Sequence, residues 1–140
     1  MPFANAEDVY STLGEIFQRA VEDPRVGPAA QSSGAVLQLR YASPDSVITC
    51  DFPGRKVHFG DGSEVPTPNV VLESAAAAGN KYWLGKLNLT MALAKREVRS
   101  KGQVSKILKL VPLTKPLFAS YTEILREMGR KDLLEEAGVK

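Results

Sequence analysis

The sequence predicts an α+β fold: a five-stranded, mainly antiparallel sheet covered on one face by helices. Three observations predict it. Residues 6–21 repeat apolar side chains at helical spacing. Residues 35–74 then hold four short β-type runs separated by Pro- and Gly-containing turns. A fifth run, charged rather than apolar, occupies 96–101 and is followed by two amphipathic stretches, 103–111 and 115–128. Helices set apart from a mostly antiparallel sheet define the α+β class.

The first helix begins after Asn5, a residue whose side chain caps helix N-termini well. Val9, Leu13, Ile16, Phe17 and Ala20 form its apolar stripe. Residues 22–34 contain Pro24, Gly27, Pro28, Ser32 and Ser33 and read as a connector with at most one short helical turn. Residues 35–41 form the first strand, with Leu37, Leu39 and Tyr41 on one face and Gln38 and Arg40 on the other. Ser43-Pro44-Asp45 turns the chain into a second strand at 46–52, and Pro53-Gly54 turns it again into a third at 56–59. A polar loop with Pro66 and Pro68 leads to a fourth strand at 69–74. These short connections favour hairpins over crossovers.

Residues 75–84, opened by four alanines, read as helix. Residues 87–93 are ambiguous. Leu87, Leu89, Met91 and Leu93 alternate as in a strand, whereas Asn88 is a good cap for a short helix at 89–94. The run 96–101 has little apolar content and belongs at a sheet edge, where charge discourages pairing with other chains. In the next stretch Val104, Ile107, Leu108 and Val111 share one helical face, and Pro112 is expected to stop that helix. Thr114 is expected to cap a last helix with Pro116 in its first turn and Gly129 at its end. Leu117, Phe118, Tyr121, Ile124, Leu125 and Met128 form its apolar face. At 140 residues the chain is expected to be one domain, comprising an N-terminal helix and connector (1–33), a core (34–128) and a C-terminal tail (129–140).

Charge is distributed unevenly. Residues 81–115 carry Lys81, Lys86, Lys95, Arg96, Arg99, Lys101, Lys106, Lys109 and Lys115 against Glu97 alone, a net charge of +8. The whole chain is only +2, so the remainder sums to −6. Such asymmetry points to an anionic partner on one face. The same segment is rich in large apolar residues, which points to something greasy beneath that face. A lipid or amphipathic acyl ligand satisfies both.

Other classes find less support. Cys50 is the only cysteine, so no internal disulfide and no cysteine-based metal site is expected. His58 is the only histidine, and a zinc site is not expected either. No Gly-rich phosphate loop or nucleophile elbow occurs. An enzyme acting on a lipid-like substrate would have to use Asp51 or His58 as proton carrier. A nucleic-acid-binding module would use the basic face, but residues 96–101 lack the interleaved aromatics of a stacking platform. No apolar run approaches the ~18 residues of a membrane span. The N-terminus lacks the pattern of a signal peptide, and a cytoplasmic location is the expectation. Asn88-Leu89-Thr90 matches a glycosylation triplet that such a location leaves unused.

Several motifs carry a resemblance. Trp83-Leu84-Gly85-Lys86-Leu87-Asn88, the run Ala92-Leu93-Ala94-Lys95-Arg96-Glu97-Val98-Arg99-Ser100-Lys101-Gly102, and Val104-Ser105-Lys106-Ile107-Leu108-Lys109-Leu110 follow one another at spacings similar to those of the sterol carrier protein type 2 family of lipid-transfer domains. The resemblance covers residues 34–128, about two-thirds of the chain. It implies that 89–94 is helix despite its alternation, and that an apolar tunnel lies between sheet and helices. It implies noncatalytic binding of a fatty acyl chain, acyl-CoA, sterol or phospholipid, with no cofactor and no nucleic acid. Trp83, Leu84, Met91, Val104, Ile107, Leu108, Val111, Leu117, Phe118, Tyr121 and Leu125 would line the site, and Tyr82 is a further candidate for its rim. Lys95, Arg96, Arg99, Lys101, Lys106 and Lys109 would meet an anionic head group or membrane surface. Two departures stand out. Leu89 follows the motif asparagine where the family often has proline, and Lys95-Arg96 precede the fifth strand where it often has glycine. The first 33 residues lie outside the motifs and are placed to cover one end of the tunnel.

Overall fold

The structure, a computed structural model, describes residues 3–139. Its first element is α1 (Ala6–Glu22), capped as expected: the Asn5 side chain accepts from the Asp8 N–H. The connector holds more helix than its prolines suggest. α2 (Val26–Ser32) runs for seven residues. Asp23 starts it, its Oδ1 accepting from the N–H groups of Arg25 (2.8 Å) and Val26 (3.0 Å). Those two backbone bonds, Val26 first, hold the Asp23 carboxyl below its usual range. An Asp immediately before Pro24 was the available signal for this helix.

Five strands follow in the expected places: β1 (Val36–Ala42), β2 (Ser46–Asp51), β3 (Lys56–Phe59), β4 (Val70–Ala75) and β5 (Val98–Gly102). The sheet order is β3-β2-β1-β4-β5. β1–β2, β2–β3 and β4–β5 are antiparallel. The centre differs from the hairpin expectation, because β4 pairs parallel to β1. The loop 60–69 is therefore a crossover from one side of β1 to the other. Asp61 in that loop takes an ion pair from Arg40 at 3.0 Å. β5 lies at the edge, as its charges require.

The register sorts the sheet into two faces. Leu39 pairs with Ile48 and Leu72, and Ile48 pairs with Phe59, so all four point to the same side. Gln38, Thr49 and His58 share the opposite side. The helices pack on the first. Phe59 stacks on Tyr10 of α1 at 4.8 Å and 5°, and its ring lies where a Cβ on Gly14 would stand.

α3 (Ala76–Trp83) and α4 (Leu89–Ala94) come next. The Asn88 side chain caps α4 by accepting from the Met91 N–H, which resolves the strand-or-helix ambiguity in favour of helix. α5 (Ser105–Thr114) departs from expectation by running through Pro112. A proline inside a helix removes one hydrogen bond and costs ~3 kcal/mol or more. Two features offset this: Pro112 is exposed, and the helix buries Ile107 and Leu110. A 3-10 turn, Lys115–Leu117, links it to α6 (Phe118–Glu127), so Thr114 sits within a continuous helical run and caps nothing by its side chain. Gly129, at φ +70°, ends α6. Residues 129–140, read from the sequence as a tail, contain α7 (Lys131–Glu136), which buries Leu133 and Leu134. Among the described residues no helix is long and apolar enough to cross a membrane.

α3 comes close to the sheet because Gly79 has no side chain. A Cβ there would stand 2.8 Å from the Tyr41 ring. The next residue, Asn80, is fully buried and polar. Its Oδ1 accepts from the Tyr121 hydroxyl at 2.7 Å, and its Nδ2 donates to the Leu133 carbonyl at 2.8 Å. One side chain thus joins α3, α6 and α7. Asn80→Ala leaves a buried donor and a buried acceptor unpaired, each costing about 1–3 kcal/mol. The expected loss of stability in urea unfolding is about 2–4 kcal/mol, with faster amide exchange in α7. An unchanged unfolding midpoint would show that these bonds are replaceable.

Candidate functional site

An apolar cavity of about 70 Å³ lies between the sheet and the helices. Its floor is the helix-facing side of the sheet: Leu37, Leu39 and Tyr41 of β1, Leu72 and Ser74 of β4, and Val98 of β5. Its walls are Ala78, Gly79, Tyr82 and Trp83 of α3, with Phe17 of α1. Its roof is Ile107, Leu110, Val111 and Thr114 of α5, with Leu87 and Leu89 at the start of α4. The first 33 residues thus contribute Phe17 to the enclosure.

A second, larger space lies beside it, a partly open groove of about 430 Å³ between α4 and the α5–α6 run. Gly85, Leu87, Asn88, Leu89, Thr90 and Leu93 form one side, and Leu108, Val111, Pro112, Lys115 and Phe118 the other. Tyr82, Leu87, Leu89 and Val111 line both spaces, so they are the partition between them.

Tyr82 is the most constrained part of that partition. Its hydroxyl is 2.5 Å from Thr114 Oγ1. Thr114 gives its own proton to the Val111 carbonyl at 2.8 Å, so Tyr82 is the donor in this pair. The ring meets Trp83 and Phe118 edge to face, each at 5.5 Å. Trp83 in turn meets Phe17 at 5.3 Å and 87°. The bond and the rings close α3 onto α5.

The lining is mostly apolar, and its polar side-chain groups include the hydroxyls of Tyr41, Ser74, Tyr82, Thr90 and Thr114, the Asn88 amide and the ammonium of Lys115. Among the described residues no carboxylate, histidine or cysteine lines the cavity or the groove. Burial pushes the Tyr41 phenol up. It does the same to Tyr82. Cys50 is buried outside the cavity, and burial raises its thiol strongly, which disfavours the thiolate. Asp51 is engaged in the turn after β2, accepting from the Gly54 N–H at 3.0 Å. His58 lies on the sheet face away from the helices. No group of three or more His, Cys, Asp or Glu side chains that could hold a metal occurs among the described residues.

The apolar residues singled out in the sequence fall into four places. Trp83, Ile107 and Val111 line the cavity. Leu108 and Phe118, with Val111 again, line the groove. Leu84, Val104, Leu117, Tyr121 and Leu125 line neither; they belong to the packed core or lie against it. Met91 is 52% exposed on the outer side of α4. Sequence reasoning did not assign the strand residues of the floor, Leu37, Leu39, Tyr41 and Leu72, although their shared face was visible from the alternation.

The basic residues also separate. Arg96 and Arg99 lie with Arg40, Glu73 and Glu97 around a shallow depression at the β4–β5 end of the sheet. Lys101 pairs with Glu73 at 3.5 Å. Lys106 is turned inward, donating to the Ser33 carbonyl at 2.8 Å and fastening α5 to the end of α2. Lys95 and Lys109 are exposed on α4 and α5.

No protein-family model and no curated protein sequence matches the chain. Solved structures do. The sterol carrier protein 2 of Yarrowia lipolytica, in its apo form, superposes with a TM-score of 0.62 at 17% identity, covering 82% of this chain and 96% of the other. Sterol carrier protein 2 like 2 from Aedes aegypti gives 0.58 at 21% identity, over 74% and 94% of the two chains. A ubiquinone synthesis protein, UbiJ-SCP2, gives 0.55 at 19%, over 82% and 91%. The architecture is that of the sterol carrier protein 2 domain. At these identities the likeness is one of fold.

The Tyr82–Thr114 pair is open to a double-mutant cycle. Tyr82→Phe and Thr114→Val each remove the bond between α3 and α5, and a typical net contribution is about 0.5–1.5 kcal/mol. The double variant is expected to lose less than the sum of the two, by about that amount. Strict additivity in urea unfolding would mean that the bond does not couple the two helices.

Proposed function

We propose that the protein is a noncatalytic carrier of lipids with an extended apolar tail, such as a fatty acid or acyl ester. The observation that supports this most is the shared wall between an apolar cavity and a neighbouring, largely apolar groove. At about 70 Å³ the cavity holds roughly two waters' worth of volume, far less than an acyl chain needs. A tail is accommodated when the partition of Tyr82, Leu87, Leu89 and Val111 gives way and cavity and groove become one tunnel. Burial of methylenes drives this at roughly 0.8 kcal/mol each, less the cost of ordering the chain. Trp83, Ile107 and Val111 then contact the tail from inside, and Leu108 and Phe118 from the groove. A mostly apolar lining without carboxylate, histidine or cysteine suits holding and releasing a ligand rather than transforming it. The solved relatives named as sterol carriers accord with this reading, and the head group remains with the groove mouth, where Lys115 offers a positive charge.

Native mass spectrometry of freshly purified protein is expected to show a retained lipid. A direct test fills the cavity. Ala78 lines it from α3, and Ala78→Leu places three more carbons there without disturbing a polar group. Stability is expected to be unchanged or raised, since cavity filling commonly stabilises. Affinity for a fluorescent fatty acid is expected to fall about tenfold or more. Wild-type affinity in this variant would place the tail elsewhere.

A further inference from the structure

The groove is bordered by the two most exposed large apolar side chains among the described residues. Leu108 on α5 is 60% exposed, and Met91 on α4 is 52% exposed. Leu108 lines one side of the groove directly, while Met91 stands on the outer face of the helix that supplies the other side. The outward stripe of α5 continues from Leu108 through Lys109 and Pro112 to Lys115, all exposed and following helical spacing. On α4 the exposed stripe is Met91, Ala94 and Lys95, and the turn before it exposes Lys86. Lys86, Lys95, Lys109 and Lys115 make no ion pair among the described residues, and no carboxylate lines the groove. By contrast, the cations on the β5 side lie among Glu73 and Glu97, and Lys106 is committed to Ser33.

Exposed large apolar side chains set among unneutralised lysines match the boundary of an anionic bilayer. Apolar tips enter the acyl region there, while ammonium groups stay at the level of the lipid phosphates. From these positions we infer that the α4–α5 face docks on anionic lipid membranes with the groove turned toward the lipids. Met91 and Leu108 insert on either side, and Lys86, Lys95, Lys109 and Lys115 contact the head groups. This rests on the carrier reading and extends it by naming the surface through which lipid is exchanged. A tail then passes from bilayer to groove without crossing water. The basic face of β5 takes no part.

The test uses vesicles of phosphatidylcholine with and without phosphatidylserine, at low and high salt, and scores protein cosedimentation. A parallel titration in solution uses a fluorescent fatty acid. Wild type is expected to bind the serine-containing vesicles, and to release them as salt rises. The double variant Met91→Glu/Lys109→Glu, both residues outside the tail-lining set, is expected to lose vesicle partitioning by about tenfold or more while keeping fatty-acid affinity. The control variant Arg99→Glu/Lys101→Glu, which lowers the net charge by even more, is expected to stay within about twofold of wild type on vesicles. Equal loss in both variants, equal binding to neutral vesicles, or preference for polyuridine RNA over vesicles would overturn the inference. Absence of fatty-acid binding in every protein, with vesicle binding intact, would instead reject the carrier reading and leave the docking surface standing.

Discussion

The hydrogen bonds of Asn80 are the constraint on which the cover over the sheet depends. An amide side chain at the centre of an apolar layer is tolerated only if both its ends are satisfied. Here one end reaches the Tyr121 hydroxyl on α6 and the other the Leu133 carbonyl on α7. The bare backbone of Gly79, one residue earlier, lets α3 settle against Tyr41 on the sheet. Adjacent residues of a short helix therefore fix its distance from the sheet and the placing of the two helices behind it. At the same end, Arg130 links the start of α7 to Asp8 of α1 and to Asp132, so the last helix is held by charge as well as by packing.

The other end of the cover is built differently. α5 has no side-chain cap, contains a proline and passes through a 3-10 turn before α6 begins. Its ties to the body are few and separable: Lys106 to Ser33 at its start, and Tyr82 to Thr114 at its finish. Local opening follows low contact density and weak helical caps. The end tied by Asn80 and Arg130 thus carries more cross-links between helices than the end that faces the groove. The carrier role proposed above would use this division, because exchange of contents then need not unfold the whole domain.

Much of the architecture was legible in the sequence, because periodicity reports directly on which side chains a layer must bury. The stripe on α1, the alternation in β1 and the turns at 43–45 and 53–54 all survive in the structure. Asn88 announced α4, although the leucine alternation around it argued for a strand, and the resemblance rather than the local pattern decided between them. What escaped was set by partners distant in sequence. The parallel pairing of β4 with β1 leaves no mark on either strand. Pro112 stays within its helix because burial of Ile107 and Leu110 outweighs one lost bond, a balance that local propensity does not contain. The charge count treated nine cations alike, yet the fold turns Lys106 inward and sets Arg96 and Arg99 among carboxylates. Likewise, Tyr121 and Leu125 look like Val111 on a helical wheel. Only packing puts them in the core and Val111 on the partition.

The parallel seam between β1 and β4 also bears on how the chain reaches this shape. β1, β2 and β3 meet through tight turns, so their contacts are close in sequence and cheap to close. The seam forms only after the loop 60–69 has carried the chain across the sheet, and β5 has no partner until β4 is in place. Contacts of high sequence separation are the slow ones in two-state folding. The three-stranded meander therefore closes at a lower entropic cost than the pairings that β4 and β5 make. The floor of the cavity, shared between Leu39 on one side of the seam and Leu72 on the other, therefore depends on these costlier, long-range contacts.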